Sequence, residues 1–238
     1  MDTYTVHNGF GRARDQSISE DNKRGGVDGL TPTVFIVDDD ISVRESLDEL
    51  IKTAGWQVRS FESAEAFLAQ PRSAAPCCLI LDMALPGLSG LELQSELTGR
   101  ADMPIIFMTG HSDVPKTVRA MKAGAIEFLT KPIDDVALLL AIRNAIERSC
   151  AALRHDREML ELRESYSALT SREREVLALV ALGLPNKLVG SELGISETTV
   201  KAHRGHVMRK MQAESLADLV IMATRLGLRA QPDAEARR

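Results

Sequence analysis

The chain has few cysteines, no long apolar run and no excess of basic charge, and each lack excludes something. Only Cys77, Cys78 and Cys150 are present in 238 residues. Adjacent Cys77 and Cys78 cannot bridge without strain, and no Cys/His spacing suits a metal. The expectation is buried thiols in a reducing cytoplasm. No run approaches the roughly 18 apolar residues a membrane span requires, so no membrane partner is expected. Residues 1–30 lack the apolar core of a secretory signal and carry Gly25, Gly26 and Gly29 without apolar periodicity. They read as a disordered extension, as does the tail 229–238. No methionine lies between Met1 and the first strand, so initiation at Val27 or Leu30 from a non-ATG codon is an expectation for this end.

What is present suits two globular domains: 44% hydrophobic and 26% charged residues, with a net charge of −5. The sign is unevenly shared. Residues 31–134 carry 15 acidic and 9 basic side chains, whereas residues 168–228 carry 6 and 8. Between Glu197 and Met211 one acid faces four bases, a helix-sized basic patch that points towards nucleic acid.

Apolar runs at Val34–Val37, Gln57–Phe61, Cys78–Leu81, Ile105–Met108 and Glu127–Leu129 alternate with helical patterns. Ser42-x-x-Glu45 has the form of a capping box before the first helix. Five such β-α units predict a doubly wound, flavodoxin-like parallel sheet. Four runs deliver a polar side chain at their C-terminal end: Asp38 and Asp39, Asp82, Thr109, and Lys131. A parallel sheet brings such ends to one edge, where open α/β sheets bind ligands. Carboxylates gathered there repel one another unless a cation sits among them, so the edge suits a hard metal ion and a phosphoryl group.

The fifth helix shows no break from Asp134 to Tyr166, with Leu139, Ile146, Leu153 and Leu160 seven residues apart. Polar residues fill the intervening positions, so only half a coiled-coil repeat is present. A solvated linker and a signalling helix that helps dimerise are equally good readings. Beyond it every pattern is helical. Thr170-x-x-Glu173 caps one helix, Asn186–Leu193 forms a second, Gly194-Ile195-Ser196 turns the chain, and a third runs to about Met211. Ser215-x-x-Asp218 caps a fourth. Two short helices about a Gly-containing turn, the second basic, predict a helix-turn-helix.

Val37-Asp38-Asp39-Asp40, Asp82-x-x-Leu85-Pro86-x-x-x-Gly90, Thr109-Gly110 and Lys131-Pro132 resemble the receiver domain of two-component response regulators. The run from Thr109 through His111, Asp113 and Pro115 to Phe128 is similar to the FixJ type. Asp113 with Pro115 also reads as a helix start, and His111 as a surface residue. The resemblance implies that Asp82 takes a phosphoryl group from a sensor histidine kinase. Asp38, Asp39, Asp82 and the Ala84 carbonyl would hold Mg²⁺. Thr109 and Lys131 would meet phosphoryl oxygens, Phe128 would be the switch aromatic, and Pro132 would follow a cis bond. A haloacid-dehalogenase-type phosphatase needs a second acid two residues after its nucleophile, where this chain has Ala84, so an enzyme is not expected.

Leu169-Thr170-x-Arg172-Glu173-Arg174-Glu175-Val176-Leu177, Gly183-x-x-Asn186-Lys187 and Thr198-Thr199-Val200-Lys201-x-His203 resemble the LuxR/NarL-type effector domain. By that likeness Lys201, Arg204 and Ala202 would face the major groove. Lys187, Thr198, Thr199, His203 and Lys210 would lie near phosphates, and Glu173 would bridge internally to a base. Leu216, Leu219 and Val220 would form a dimer face. The expected organisation is an extension 1–30, a receiver 31–147, a helical linker 148–166 and a helix-turn-helix domain 167–228. The expected function is a cytoplasmic transcription regulator that dimerises on phosphorylation, binds promoter DNA with inverted half-sites and engages RNA polymerase. A regulator whose receiver serves only as a dimerisation module is the alternative.

Overall fold

The computed structural model describes residues 30–110 and 114–228, so the readings placed on 1–29, His111, Asp113 and the tail lie outside the described residues. Two compact units divide after Arg154. The first holds five parallel strands, β1 (Thr33–Val37), β2 (Gln57–Phe61), β3 (Cys77–Asp82), β4 (Ile105–Thr109) and β5 (Glu127–Thr130), in the order β2-β1-β3-β4-β5. The central strands β1, β3 and β4 are buried along their whole length, while β2 and β5 are partly exposed. Helices cover both faces of a doubly wound sheet, so central strands read as unbroken apolar runs.

Alternate residues supply the two faces. Val34, Ile36, Cys78, Ile80, Ile106 and Met108 pack with Leu47 and Ile51 of α1 (Ile41–Thr53) and with Leu138, Ile142 and Ile146 of α5 (Asp135–Ser167). Phe35, Val37, Leu79, Leu81 and Phe107 pack with Phe67 of α2 (Ala64–Leu68), Leu93 of α3 (Gly90–Glu96) and Ala120 of α4 (Val114–Lys122). The register sets Val37 beside Leu81, Asp82 beside Met108 and Thr109 beside Thr130, so the polar strand ends share one edge. Gly90 lets α3 reach that edge: a Cβ there would lie 2.4 Å from the Asp82 carbonyl oxygen. All three cysteines are buried, and none is in a disulfide among the described residues. Burial pushes the Cys77 thiol up to about 12 and Cys78 higher still, which leaves them unreactive at neutral pH.

The expected capping box at Ser42 is corrected. Helix α1 begins at Ile41, and Asp40 caps it by accepting from the Ser42 N–H. An acidic residue two positions earlier supplies the cap, so Ser42 falls inside the helix.

The second unit packs the end of α5 with α6 (Ser171–Ala181), α7 (Asn186–Leu193), α8 (Glu197–Lys210) and α9 (Leu216–Arg225). Thr170 and Glu173 form the expected capping box, and Ser196 and Ser215 cap α8 and α9. Gly194 ends α7 in the left-handed conformation (φ 66°) that a side chain would strain. The segment 148–166 is not a bare spacer. Ser149 and Cys150 are buried in the first unit and Leu162 in the second, while Leu160 is exposed. No helix of the described residues is long and apolar enough to cross a membrane.

Candidate functional site

The C-terminal edge of the sheet gathers Asp38 after β1, Asp82 at the end of β3, Thr109 at the end of β4 and Lys131 after β5. Asp38 and Asp82 are buried. The Lys131 ammonium lies between them, with Nζ 2.6 Å from Asp38 Oδ2 and 3.0 Å from Asp82 Oδ1. The second oxygens are held by backbone: Asp40 N–H donates to Asp38 Oδ1 at 2.9 Å, and Ala84 N–H to Asp82 Oδ2 at 2.8 Å. Burial works against the charged ammonium, but hydrogen bonds to Asp38 and Asp82, with their charges, outweigh it and raise the Lys131 pKa. Lys131 is tied in from its backbone as well, its N–H donating to the Thr109 carbonyl at 2.7 Å. The Lys131–Pro132 bond is cis, as the resemblance implied. Thr109 is buried, and Phe128 is half-buried against the core on the α3–α4 side.

Asp39 stands exposed at the mouth of this edge. No three His, Cys, Asp or Glu of the described residues are grouped so as to hold a metal. The set Asp38, Asp39 and Asp82 is therefore not a ready-made cage, because Lys131 occupies the space between two members and the third faces solvent. The donor chemistry still fits a hard dication. Two buried carboxylates face one ammonium with a third exposed next to Asp38 in sequence, the atoms on offer are oxygens, and Mg²⁺ binds through few protein ligands while keeping its waters.

In the second unit α7, the Gly194 turn and α8 form the expected helix-turn-helix. Lys187, Thr198, Thr199, Lys201 and Ala202 are exposed, and His203 and Arg204 are half-buried. Arg204 Nη1 donates to Asn186 Oδ1, which ties α8 to the start of α7 beside Lys187. His203 Nδ1 is buried without a hydrogen-bond partner among the described residues.

Comparison with known proteins bears on both regions. Residues 34–143 match the response regulator receiver domain, and residues 167–223 match the luxR family of bacterial regulatory proteins. Nodulation protein W of Bradyrhizobium diazoefficiens is 49% identical over 198 residues, 83% of this chain and 87% of that protein. The chain is a response regulator with a receiver and a LuxR-type DNA-binding domain. The transcriptional regulatory protein FixJ of Azorhizobium caulinodans is 44% identical over 84% of this chain and 96% of its own length. The solved structure of the response regulator StyR covers 82% of this chain and 98% of its own, with 48% identity and a TM-score of 0.72. Receiver domains generally bind Mg²⁺ at the phosphorylation site, which agrees with the oxygen donors at this edge.

One placement in this response regulator needs correction, that of Leu219, and a second, that of Lys210, gains a partner within its own unit. Lys210 was expected near DNA phosphates. Its side chain is exposed, and its Nζ lies 2.7 Å from Glu173 Oε2 and donates to the Ala168 carbonyl at 3.2 Å. Glu173 thus has the internal base expected for it. That bond, with the Thr170 N–H at the same carboxylate, brings the Glu173 pKa from its ordinary 4.5 to about 2. On α9, Leu219 is buried in the bundle core, so it cannot belong to an outward dimer face; Leu216 is exposed and Val220 half-buried. Gly205 is exposed with open space about its Cα, so no protein neighbour requires glycine there. Sequence reasoning passed over Arg44, whose Nη1 donates to the carbonyls of Asp38 at 2.7 Å and Asp39 at 3.0 Å. Its only signal was a basic residue one turn into the helix that follows the aspartates.

Proposed function

We propose that this response regulator is switched by phosphoryl transfer from a sensor histidine kinase to Asp82, and that phosphorylation promotes dimerisation and promoter binding. The observation that carries this reading is the buried Asp82 carboxylate 3.0 Å from Lys131, beside buried Asp38 at the sheet edge. An Asp82 carboxylate oxygen attacks the phosphorus of a phosphohistidine. A P–O bond forms, the P–N bond breaks, and the imidazole leaves with the electron pair and takes up a proton. Asp38, Asp39, Asp82 and the Ala84 carbonyl would hold Mg²⁺, which when bound supplies positive charge to the transferring group.

Lys131 exchanges a carboxylate oxygen for a phosphoryl oxygen, and the Thr109 hydroxyl donates to another. Phosphorylation adds nearly two negative charges, enough to draw both side chains inward and free room for Phe128 to rotate. In the second domain Lys201, Ala202 and Arg204 read base edges in the major groove, while Lys187, Thr198, Thr199 and His203 sit against phosphates. Exposure of Lys187, Thr198, Thr199, Lys201 and Ala202 supports this, and Leu216 with Val220 remains the candidate dimer surface. A two-fold dimer would meet inverted half-sites, with RNA polymerase as the cytoplasmic partner.

The test is incubation of the full chain with acetyl phosphate and Mg²⁺, followed by intact mass. A phosphoryl adduct is expected in the wild type and none in Asp82→Asn. An adduct unaffected by Asp82→Asn, or no adduct at all, favours a receiver that acts only as a dimerisation module.

A further inference from the structure

We infer that Arg44 is the positioning residue of the acidic loop, setting the aim of Asp39 and the backbone of Asp38 for the divalent cation; this rests on the phosphorylation reading above. The loop between β1 and α1 is a chain of short contacts. Asp38 Oδ1 accepts from Asp40 N–H at 2.9 Å, and Asp40 Oδ1 accepts from Ser42 N–H at 2.8 Å. Those bonds fix the side chains of Asp38 and Asp40. Asp39 is different: it is exposed, and its carboxylate has no partner among the described residues. It is aimed only through its backbone.

Arg44 holds that backbone. It sits in the first turn of α1, its own N–H donating to the Asp40 carbonyl at 3.1 Å. From there Nη1 reaches back to two successive carbonyl oxygens, Asp38 at 2.7 Å and Asp39 at 3.0 Å. Pinning both carbonyls fixes the planes of the two peptides that flank Asp39, and so the direction of its Cβ. Groups that orient a ligand are worth about 10–100-fold in metal affinity. The Arg44 charge works the other way, since a guanidinium beside the loop repels a dication. The two contributions have opposite signs, which makes the assignment testable.

Mg²⁺ alone is titrated into the full chain by calorimetry, for the wild type, Arg44→Met and Arg44→Lys. Met keeps the aliphatic stem and removes both donor and charge; Lys returns a single charged donor. Arg44→Met is expected to bind Mg²⁺ about tenfold more weakly, and Arg44→Lys to recover most of that loss. With acetyl phosphate as donor, the Mg²⁺ concentration for half-maximal phosphorylation rises by the same factor in Arg44→Met, while the rate at saturating Mg²⁺ changes less. Binding by Arg44→Met that is unchanged or tighter than wild type overturns the assignment, because it leaves only the charge. If the wild type itself binds no Mg²⁺, the phosphorylation reading falls with it; if the wild type binds and Arg44→Met binds equally, only the role of Arg44 falls.

Discussion

Two lysines meet buried carboxylates in this protein, one in each unit, and they do opposite things. Lys131 stands between Asp38 and Asp82, so one ammonium faces two carboxylates, and exposed Asp39 follows Asp38 in the chain. Lys210 meets Glu173 alone, and that carboxylate also accepts from the Thr170 N–H in a complete capping box. The first cluster keeps a surplus of negative charge; in the second, one carboxylate is balanced by one ammonium and also lies 3.6 Å from the His206 imidazole. A surplus of negative charge is what a cation can answer, whereas a balanced pair leaves no net charge to draw one. Similar distances, 2.6 and 2.7 Å, therefore mark a chemical site in one place and a structural tie in the other.

The largest effect that would break this comparison lies at Lys131. Removing one partner of a buried charge cluster leaves the others uncompensated, so Lys131→Met should cost about 3 kcal/mol in metal-free buffer. Excess Mg²⁺ should restore part of that, since a dication answers the same surplus. Trp56, the single tryptophan, is buried in the first unit's core and reports its urea unfolding by fluorescence. A loss that is the same with and without Mg²⁺ would show that the first cluster is a structural tie too.

A smaller effect is expected at Glu173. Glu173→Gln weakens the cap and the bond to Lys210, a cost of about 1–2 kcal/mol read from hydrogen exchange of α6 amides, with no response to Mg²⁺. The pH dependence carries a sign. A carboxylate whose folded pKa is depressed stabilises fully above its unfolded value and loses that contribution as pH falls towards the folded one. For Glu173 the window runs from 4.5 down to about 2. The wild-type second unit should lose stability across that range, and Glu173→Gln should lose less. Equal acid sensitivity would remove Glu173 from the explanation.

The smallest effect is on DNA. Lys201 is exposed and among the described residues pairs only with Glu197, at 3.2 Å along the helix, so Lys201→Ala should weaken binding to a promoter fragment and lower the salt slope by about one counterion. Lys210→Ala should leave the slope unchanged, because its ammonium is already bound to Glu173. A slope that falls equally for both would return Lys210 to the phosphate contacts.

Much of this was legible from residue order. Val34–Val37, Cys78–Leu81 and Ile105–Met108 are apolar throughout because central parallel strands are covered on both faces, and the polar residues that follow them mark the edge. Thr170, Ser196 and Gly194 announced the second unit's turns through local bonding. The misreadings share one cause. Ser42-x-x-Glu45 and Asp40 offer competing caps a residue or two apart, and only the path of the chain chooses. Helix α9 carries Leu216, Leu219, Val220, Met222 and Ala223, so apolar residues lie on several faces, and burial alone shows that Leu219 and Ala223 point inward.

The sequence by itself therefore determined the two units, their elements and the polar residues at one edge of the sheet, because periodicity and turn chemistry act over a few residues. Tertiary structure alone decided which charges meet. Lys131 finds Asp38 across 93 residues and Lys210 finds Glu173 across 37, so closure of the fold settles whether a charge is spent on a partner or left for a ligand.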